Sequence, residues 1–262
     1  KMKELRASAK EISELLFGSG NITSESMLNL RAEEGQMIHK YWQDKYQDTD
    51  LREVSLSQIV EHDGFLLEVT GRVDGIIQRD GELMLEEIKS THMDLELIDE
   101  KTFPAHLAQA KLYAHMYVAG NKLKRLTVVL TYIHVETKDV WQFEKNYSAK
   151  VLENYFANTI AKYIEWIKKI AEHESSRQKS IEGLVFPFPE YRLNQREMMA
   201  HVYRNILEKG ILYIQAPTGI GKTSATLFAA LKAIKSPKEK VFYLTAKNDG
   251  KQIAIDPISL LE

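Results

Sequence analysis

The chain has 262 residues, of which 44% are apolar and 27% charged, with a formal net charge of −2 and no cysteine. This length supports one or two cores; no run of eighteen apolar residues argues for a membrane span, and the lack of cysteine excludes structural disulfides and a cysteine-ligated Fe–S cluster within these residues. The balance is not that of a generally basic nucleic-acid binder, so attraction to a polyanion must come from local patches such as Lys122, Lys124 and Arg125 or from a bound metal.

Taken in chain order, the first predicted element is a helix from about Ser24 to Tyr46 that carries Arg31, Gly35 and His39. Next come two stretches of strand character, Glu68–Gln78 and Leu83–Ser90, joined by the turn Arg79-Asp80-Gly81-Glu82. A glycine-containing turn between two apolar runs is a hairpin signal. Side chains alternate along a strand, so Glu87 and Lys89 project together and Glu86 points the other way. With Asp74 near Glu87 on the neighbouring strand, two hard oxygen donors converge, a set suited to Mg²⁺ or Mn²⁺. Such an ion acidifies water and polarises a phosphoryl oxygen, while a lysine beside it orients the nucleophile and stabilises the developing charge. Acid-x-Lys alone occurs by chance in most proteins of this size, and an ordinary surface hairpin would look the same.

A helix from about Pro104 to Val118 follows, with Gln109 and Tyr113 one turn apart. Gly-x-x-x-His, Gly-Arg-x-Asp, acid-x-Lys and Gln-x-x-x-Tyr, in this order, resemble the RecB-type branch of the PD-(D/E)xK nucleases over roughly residues 20 to 145. The resemblance implies that His39, Asp74, Glu87 and the main-chain carbonyl of Ile88 hold the metal. It also implies that Lys89 serves catalysis, and that Gln109 and Tyr113 position DNA or the catalytic residues. The other histidines fall into no ligand spacing.

Residues 125–135 and 140–144 read as two further strands, and 148–177 as a long helix with Val151, Leu152, Tyr155, Phe156, Ile160, Tyr163, Ile164, Ile167 and Ile170 recurring at helix spacing as an apolar stripe expected to be core. The polar run 172–180 and the prolines at 187 and 189 place a junction near residue 182.

Beyond the junction, Arg192 and Gln195 open a helix, and Gly210–Gln215 reads as a short buried strand before Ala216-Pro-Thr218-Gly219-Ile-Gly221-Lys222-Thr223. A glycine-rich turn between strand and helix cradles phosphates with its N–H groups, its lysine reaches the outer phosphates, and its Thr223 hydroxyl ligates Mg²⁺. The Ala-x-Thr-Gly-x-Gly-Lys-Thr form resembles superfamily 2 helicases, and Arg-x-x-Gln upstream resembles the adenine-reading element of XPD/DinG-like helicases. An amide offers the adenine edge both a donor and an acceptor, although Asn194-Gln195 is also a plausible helix-capping pair.

One further strand, Val241–Thr245, is expected; residues 248–262 match no motor motif, and no second acidic motif or second lobe is present. The chain therefore reads as part of a longer nuclease–helicase protein that would not unwind DNA by itself. The expected fold is α/β: a restriction-endonuclease-like mixed sheet flanked by helices over 1–181, then the beginning of a P-loop, RecA-like helicase domain over 182–262. The expected partners are DNA with single-stranded character and ATP, without a membrane. No signal-peptide pattern opens the chain, and a cytoplasmic, DNA-associated location and a role in DNA repair are expected. A nuclease-like domain that only grips DNA, or a small-molecule phosphotransferase built on the phosphate loop, are the alternatives.

Overall fold

A computed structural model describes residues 2–18, 25–236, 239–245 and 255. The chain divides into two compact units, Lys1–Ile167 and Lys168–Glu262.

The first unit is built on a six-stranded mixed sheet. β1 (Lys3–Ser8) leads into α1 (Ala9–Phe17), which Ser8 and Glu11 start with a reciprocal capping box. After α2 (Glu25–Gln43) come β2 (Leu51–His62), β3 (Phe65–Arg79) and β4 (Glu82–Thr91). α3 (Pro104–Asn121), β5 (Arg125–His134) and β6 (Val140–Ser148) complete the sheet, and α4 (Ala149–Gly183) follows. The strand order is β1-β3-β4-β5-β6, with β2 on the other edge of β3. β1 runs parallel to β3 and β4 parallel to β5; the remaining pairs are antiparallel.

The hairpin expected over residues 68–90 is β3–β4. Its two turn residues, Asp80 and Gly81, both have positive φ (51° and 79°), the twist-matched turn for a two-residue loop. The expected helices and the strands over 125–144 also form, with ends shifted by a few residues. β1, α1 and β2 were not anticipated, because each is short or carries polar residues through its apolar pattern.

One edge of β3 is shared. Its first half pairs with β1 through Thr70, and its second half pairs with β4 from Gly75 onward. Between them the sheet forks, and Asp74 lies at the fork.

The core gathers Leu67, Val69 and Val73 of β3, Leu112 and Met116 of α3, Val128 and Leu130 of β5, and Leu152, Phe156, Ile160 and Ile164 of α4. The apolar stripe of the long helix is therefore core at Leu152, Phe156, Ile160 and Ile164, as its spacing predicts, whereas Val151, turned about 100° from Leu152, and Ile170, beyond the last core residue, are 52% and 39% exposed.

In the second unit, α5 (Gln195–Leu207) packs on α6 (Lys222–Ala233) around Phe186, Met198, Met199, Ala225 and Ala229. The strands expected over 210–215 and 241–245 do not form. Ile211 is 84% exposed, Tyr213 92%, Phe242 80% and Leu244 89%. A strand exists only through a ladder with neighbours, and among the described residues neither segment has one. The expected unmatched segment 248–262 lies outside the described residues apart from Ile255. No helix among the described residues is long and apolar enough to cross a membrane.

Candidate active site

The β3–β4 register runs from Arg79 opposite Glu82 to Gly75 opposite Glu86. One step further, where the two strands part, come Asp74 and Glu87. Parting frees the Ile88 N–H from the ladder, and Asp74 Oδ2 accepts it at 2.7 Å. The other oxygen, Oδ1, stands 3.1 Å from His39 Nδ1 on α2. Burial works against charge on His39, but the bond to Asp74 and its negative field outweigh it, so His39 holds a proton more tightly than a free histidine.

Glu87 is 3% exposed. Lys89 Nζ donates to Glu87 Oε1 at 2.8 Å and to Gln109 Oε1 at 3.3 Å. The amide nitrogen of Gln109 in turn donates to the Tyr113 hydroxyl at 3.0 Å. Burial raises Glu87 to about 7, with Asp74 adding to the rise and Lys89 pulling against it. Burial also disfavours charge on Lys89, yet Glu87 beside it more than offsets this and holds the ammonium above its ordinary value. Burial and the Glu87 charge push Tyr113 up to about 12, so at neutral pH it is a neutral hydrogen-bonding group.

The structure thus brings His39, Asp74, Glu87, Lys89, Gln109 and Tyr113 into one neighbourhood. Glu87 Oε2 is buried with no hydrogen-bond partner among the described residues. A buried carboxylate oxygen without a donor is costly unless something positive meets it. The donor types, two carboxylates with an imidazole and a main-chain carbonyl, suit an oxygen-seeking divalent ion. Among the described residues no three His, Asp or Glu side chains are gathered as a ready ligand sphere. His39 lies against Asp74, and Lys89 against Glu87.

Two glycines explain how the helices reach the fork. A Cβ at Gly71 would run into the Tyr113 ring, and one at Gly75 into Tyr46. Gly35 on α2 is less demanding, because a Cβ there meets only Ser90 Oγ at an ordinary 3.6 Å.

The tie that seats α2 lies outside every motif of the sequence. Glu86, 1% exposed, accepts from Trp42 Nε1 at 2.9 Å, from the Tyr46 hydroxyl at 2.5 Å and from the Thr131 hydroxyl. Gln43 Nε2 donates to the Asp74 carbonyl at 2.9 Å. Trp42 and Gln43 lie one turn beyond His39 at the end of α2 and Tyr46 just past it, so this clamp fixes the helix that presents the imidazole. An acid followed directly by Glu87 on a strand was the available signal, since its side chain had to find partners on the opposite face.

With this geometry in view, the family model described as the PD-(D/E)XK nuclease superfamily matches residues 2–193. The chain belongs to the PD-(D/E)XK nuclease superfamily. Its mixed six-stranded sheet flanked by helices is the restriction-endonuclease-like fold of such nucleases. The chain is also similar to a probable ATP-dependent helicase of Methanocaldococcus jannaschii, 37% identical over 76 residues, which span 29% of this chain and 12% of that relative. Among solved structures it resembles SSO0001, with 16% identity and a TM-score of 0.39 over 60% of this chain and 75% of that one. It also resembles an alkaline exonuclease from Laribacter hongkongensis, with 14% identity and a TM-score of 0.35 over 64% of this chain and 94% of that one.

In the second unit the glycine-rich loop expected to bind phosphate closes on itself. Gly219 and Gly221 have positive φ (88° and 76°), and Gly221 precedes the first turn of α6. Lys222 Nζ donates to the carbonyls of Ala216 at 3.0 Å and Pro217 at 2.8 Å, and Arg192 donates to the Gly219 carbonyl. Gln195 is buried; its Oε1 accepts from the Arg192 N–H at 3.0 Å and its Nε2 donates to the Gly221 carbonyl at 3.3 Å. The Thr223 hydroxyl lies 3.4 Å from that of Tyr243. Arg192 and Gln195 are thus tied by hydrogen bonds to Gly219 and Gly221 of the loop, Lys222 is tied separately to Ala216 and Pro217, Thr218 lies in the loop, and Thr223 is the second residue of α6. Asn194 makes no side-chain cap on α5.

Proposed function

We propose that this chain is a divalent-metal-dependent deoxyribonuclease that hydrolyses phosphodiester bonds, joined in the intact protein to an ATP-dependent helicase of the XPD/DinG-like kind. The observation that carries the nuclease reading is the fork, where Asp74 is held by His39 and the Ile88 N–H, Glu87 is bonded to Lys89 and Lys89 to Gln109, and one buried Glu87 oxygen has no donor among the described residues. His39, Asp74, Glu87 and the Ile88 carbonyl would hold Mg²⁺ or Mn²⁺. When bound, such an ion supplies the charge that polarises the phosphodiester and makes water acidic enough to attack. Lys89, oriented by Gln109, orients the attacking water and stabilises charge on the phosphoryl oxygens, and Tyr113 fixes Gln109. A water oxygen bonds to phosphorus as one ester P–O bond breaks, leaving a phosphomonoester and a hydroxyl.

For the second unit, Lys222, Thr223, Thr218 and the two loop glycines would hold the phosphates and Mg²⁺ of ATP, with Gln195 and Arg192 reading adenine. The similarity to a probable helicase supports this assignment. We assign residues 1–181 to the nuclease and 182–262 to the start of the motor, with DNA of single-stranded character as substrate inside the cell. A DNA-gripping, non-cutting nuclease domain is disfavoured because the acids and the lysine are all in place.

Labelled single-stranded and duplex DNA incubated with the chain in Mg²⁺, Mn²⁺ or EDTA tests the proposal. Cleavage that needs metal and vanishes in Asp74→Ala and Lys89→Ala supports it. Binding without cleavage under every condition overturns it in favour of the gripping domain.

A further inference from the structure

Lys89 and Gln109 have a second side that the bond-breaking chemistry does not use. They line a cavity of about 310 Å³ together with Lys10, Glu14 and Gly18, spaced one turn apart along α1 and its C-cap, and Phe103 and His106 at the start of α3. This is near the lower end of the volumes that bind small organic ligands.

One wall is a stack of flat rings. Phe103 lies over His106 with centroids 5.0 Å apart and planes 27° from parallel, and both rings rest on Tyr132, each 5.7 Å away. The Tyr132 hydroxyl lies 2.9 Å from His106 Nδ1, which fixes the imidazole plane. Burial, helped by the charges of Lys89 and Lys10, holds His106 down to about 3. At neutral pH His106 is therefore an uncharged flat ring rather than a cation or a general acid.

We propose that this cavity seats one unpaired nucleotide adjoining the phosphodiester to be cut, its base lying against Phe103 and His106. This inference rests on the nuclease reading above. Every base has a π-face, so an aromatic wall accepts any base without reading sequence. A paired base, stacked inside a duplex, cannot enter such a cavity without being drawn out, so the wall favours single strands and frayed ends. Lys10 stands at the cavity edge 3.8 Å from Glu14, an exposed and weakly held ammonium free to turn toward the neighbouring phosphate.

A single-stranded trinucleotide carrying 5-iodouracil, irradiated with the whole chain in EDTA and mapped by mass spectrometry, tests placement without requiring cleavage. Crosslinks to the peptide 103–109 are expected. Phe103→Leu keeps apolar volume but removes the flat ring; it should weaken these crosslinks and raise KM for single-stranded cleavage about tenfold, with kcat unchanged and the folded circular dichroism spectrum retained. Crosslinks elsewhere, or a Phe103→Leu effect on kcat alone, overturn the inference while metal-dependent cutting still stands. Crosslinks to 103–109 in a chain that never cuts would instead keep the pocket and overturn the nuclease reading.

Discussion

The acidic cluster at the fork of β3 and β4 stands on a sheet, whereas the glycine-rich loop before α6 follows a segment that pairs with nothing described. At the fork, backbone N–H groups, buried carboxylates and two packed helices hold each side chain from a different direction. At the loop, Lys222 is tied by two carbonyls of its own turn, and Tyr213 and Leu244 stand about nine-tenths exposed. A site is preorganised when the elements beneath it are locked by partners of their own; a loop is preorganised only when the strand that launches it is. The first unit meets that condition, and the second holds only the helical half of its motif in regular structure.

That contrast can be broken most sharply at Lys89. Lys89→Ala should lower metal-dependent DNA cleavage by about 10²–10³-fold, measured as single-turnover rate, with DNA binding retained. If the rate is unchanged, the fork is scaffold and not an active site.

The next largest effect concerns the frame. The Asp50 carboxylate is fully buried and accepts two bonds from Arg79 and main-chain N–H groups from Gln47 and Gln78. Asp50→Ala should cost about 3 kcal/mol, at the low end for a broken buried pair because Arg79 is partly in water. Although burial pushes the Asp50 pKa up, the bonds to Arg79 and the main chain outweigh it and lower it. Its contribution is therefore present above the unfolded carboxylate value of about 3.9 and is lost as pH falls through the lower folded value. Thermal melts between pH 6 and 2 should show the stability gap between wild type and Asp50→Ala closing as pH falls, while both proteins lose the contributions of their other carboxylates.

Glu86→Ala leaves the Trp42, Tyr46 and Thr131 donors without their acceptor. We expect a loss of about 2 kcal/mol and weaker metal-dependent cleavage as α2 loosens; denaturant unfolding with parallel activity assays measures both. Gly71→Ala puts a methyl group against the Tyr113 ring and should cost about 1–3 kcal/mol, together with a fall in cleavage rate as the Gln109 and Lys89 contacts shift. The comparison is sharpest at zero effect: Lys222→Ala should leave cleavage by the first unit unchanged while removing ATP binding in the full-length protein, read by nucleotide titration. Loss of both would mean that the two sites act as one.

Most of the fork was legible before any coordinate, because its signals are local. A two-residue turn sets the hairpin register, and alternation then places Glu87 and Lys89 on one face and Glu86 on the other. The one-turn spacing of Gln109 and Tyr113 likewise survives into their mutual hydrogen bond. The clamp on α2 and the ring wall beside Lys89 were not legible, since they join residues from 26 to 45 positions apart whose meeting depends on how the helices lie over the sheet. In the second unit the apolar runs 210–215 and 241–245 have the composition of strands, but composition supplies no neighbour to pair with.

The sequence by itself determined the order of the motifs, the hairpin that carries the acids and the lysine, and the apolar stripe that makes α4 core, since each follows from backbone geometry over a few residues. Only the tertiary structure decided that β4 leaves β3 at Asp74, that α2 is clamped through Glu86, and that the stretch before the glycine-rich loop has no ladder among the described residues. The physical reason is the same in each case: side-chain period is a property of one segment, whereas a hydrogen-bond ladder or a buried carboxylate needs a partner that the rest of the chain must bring.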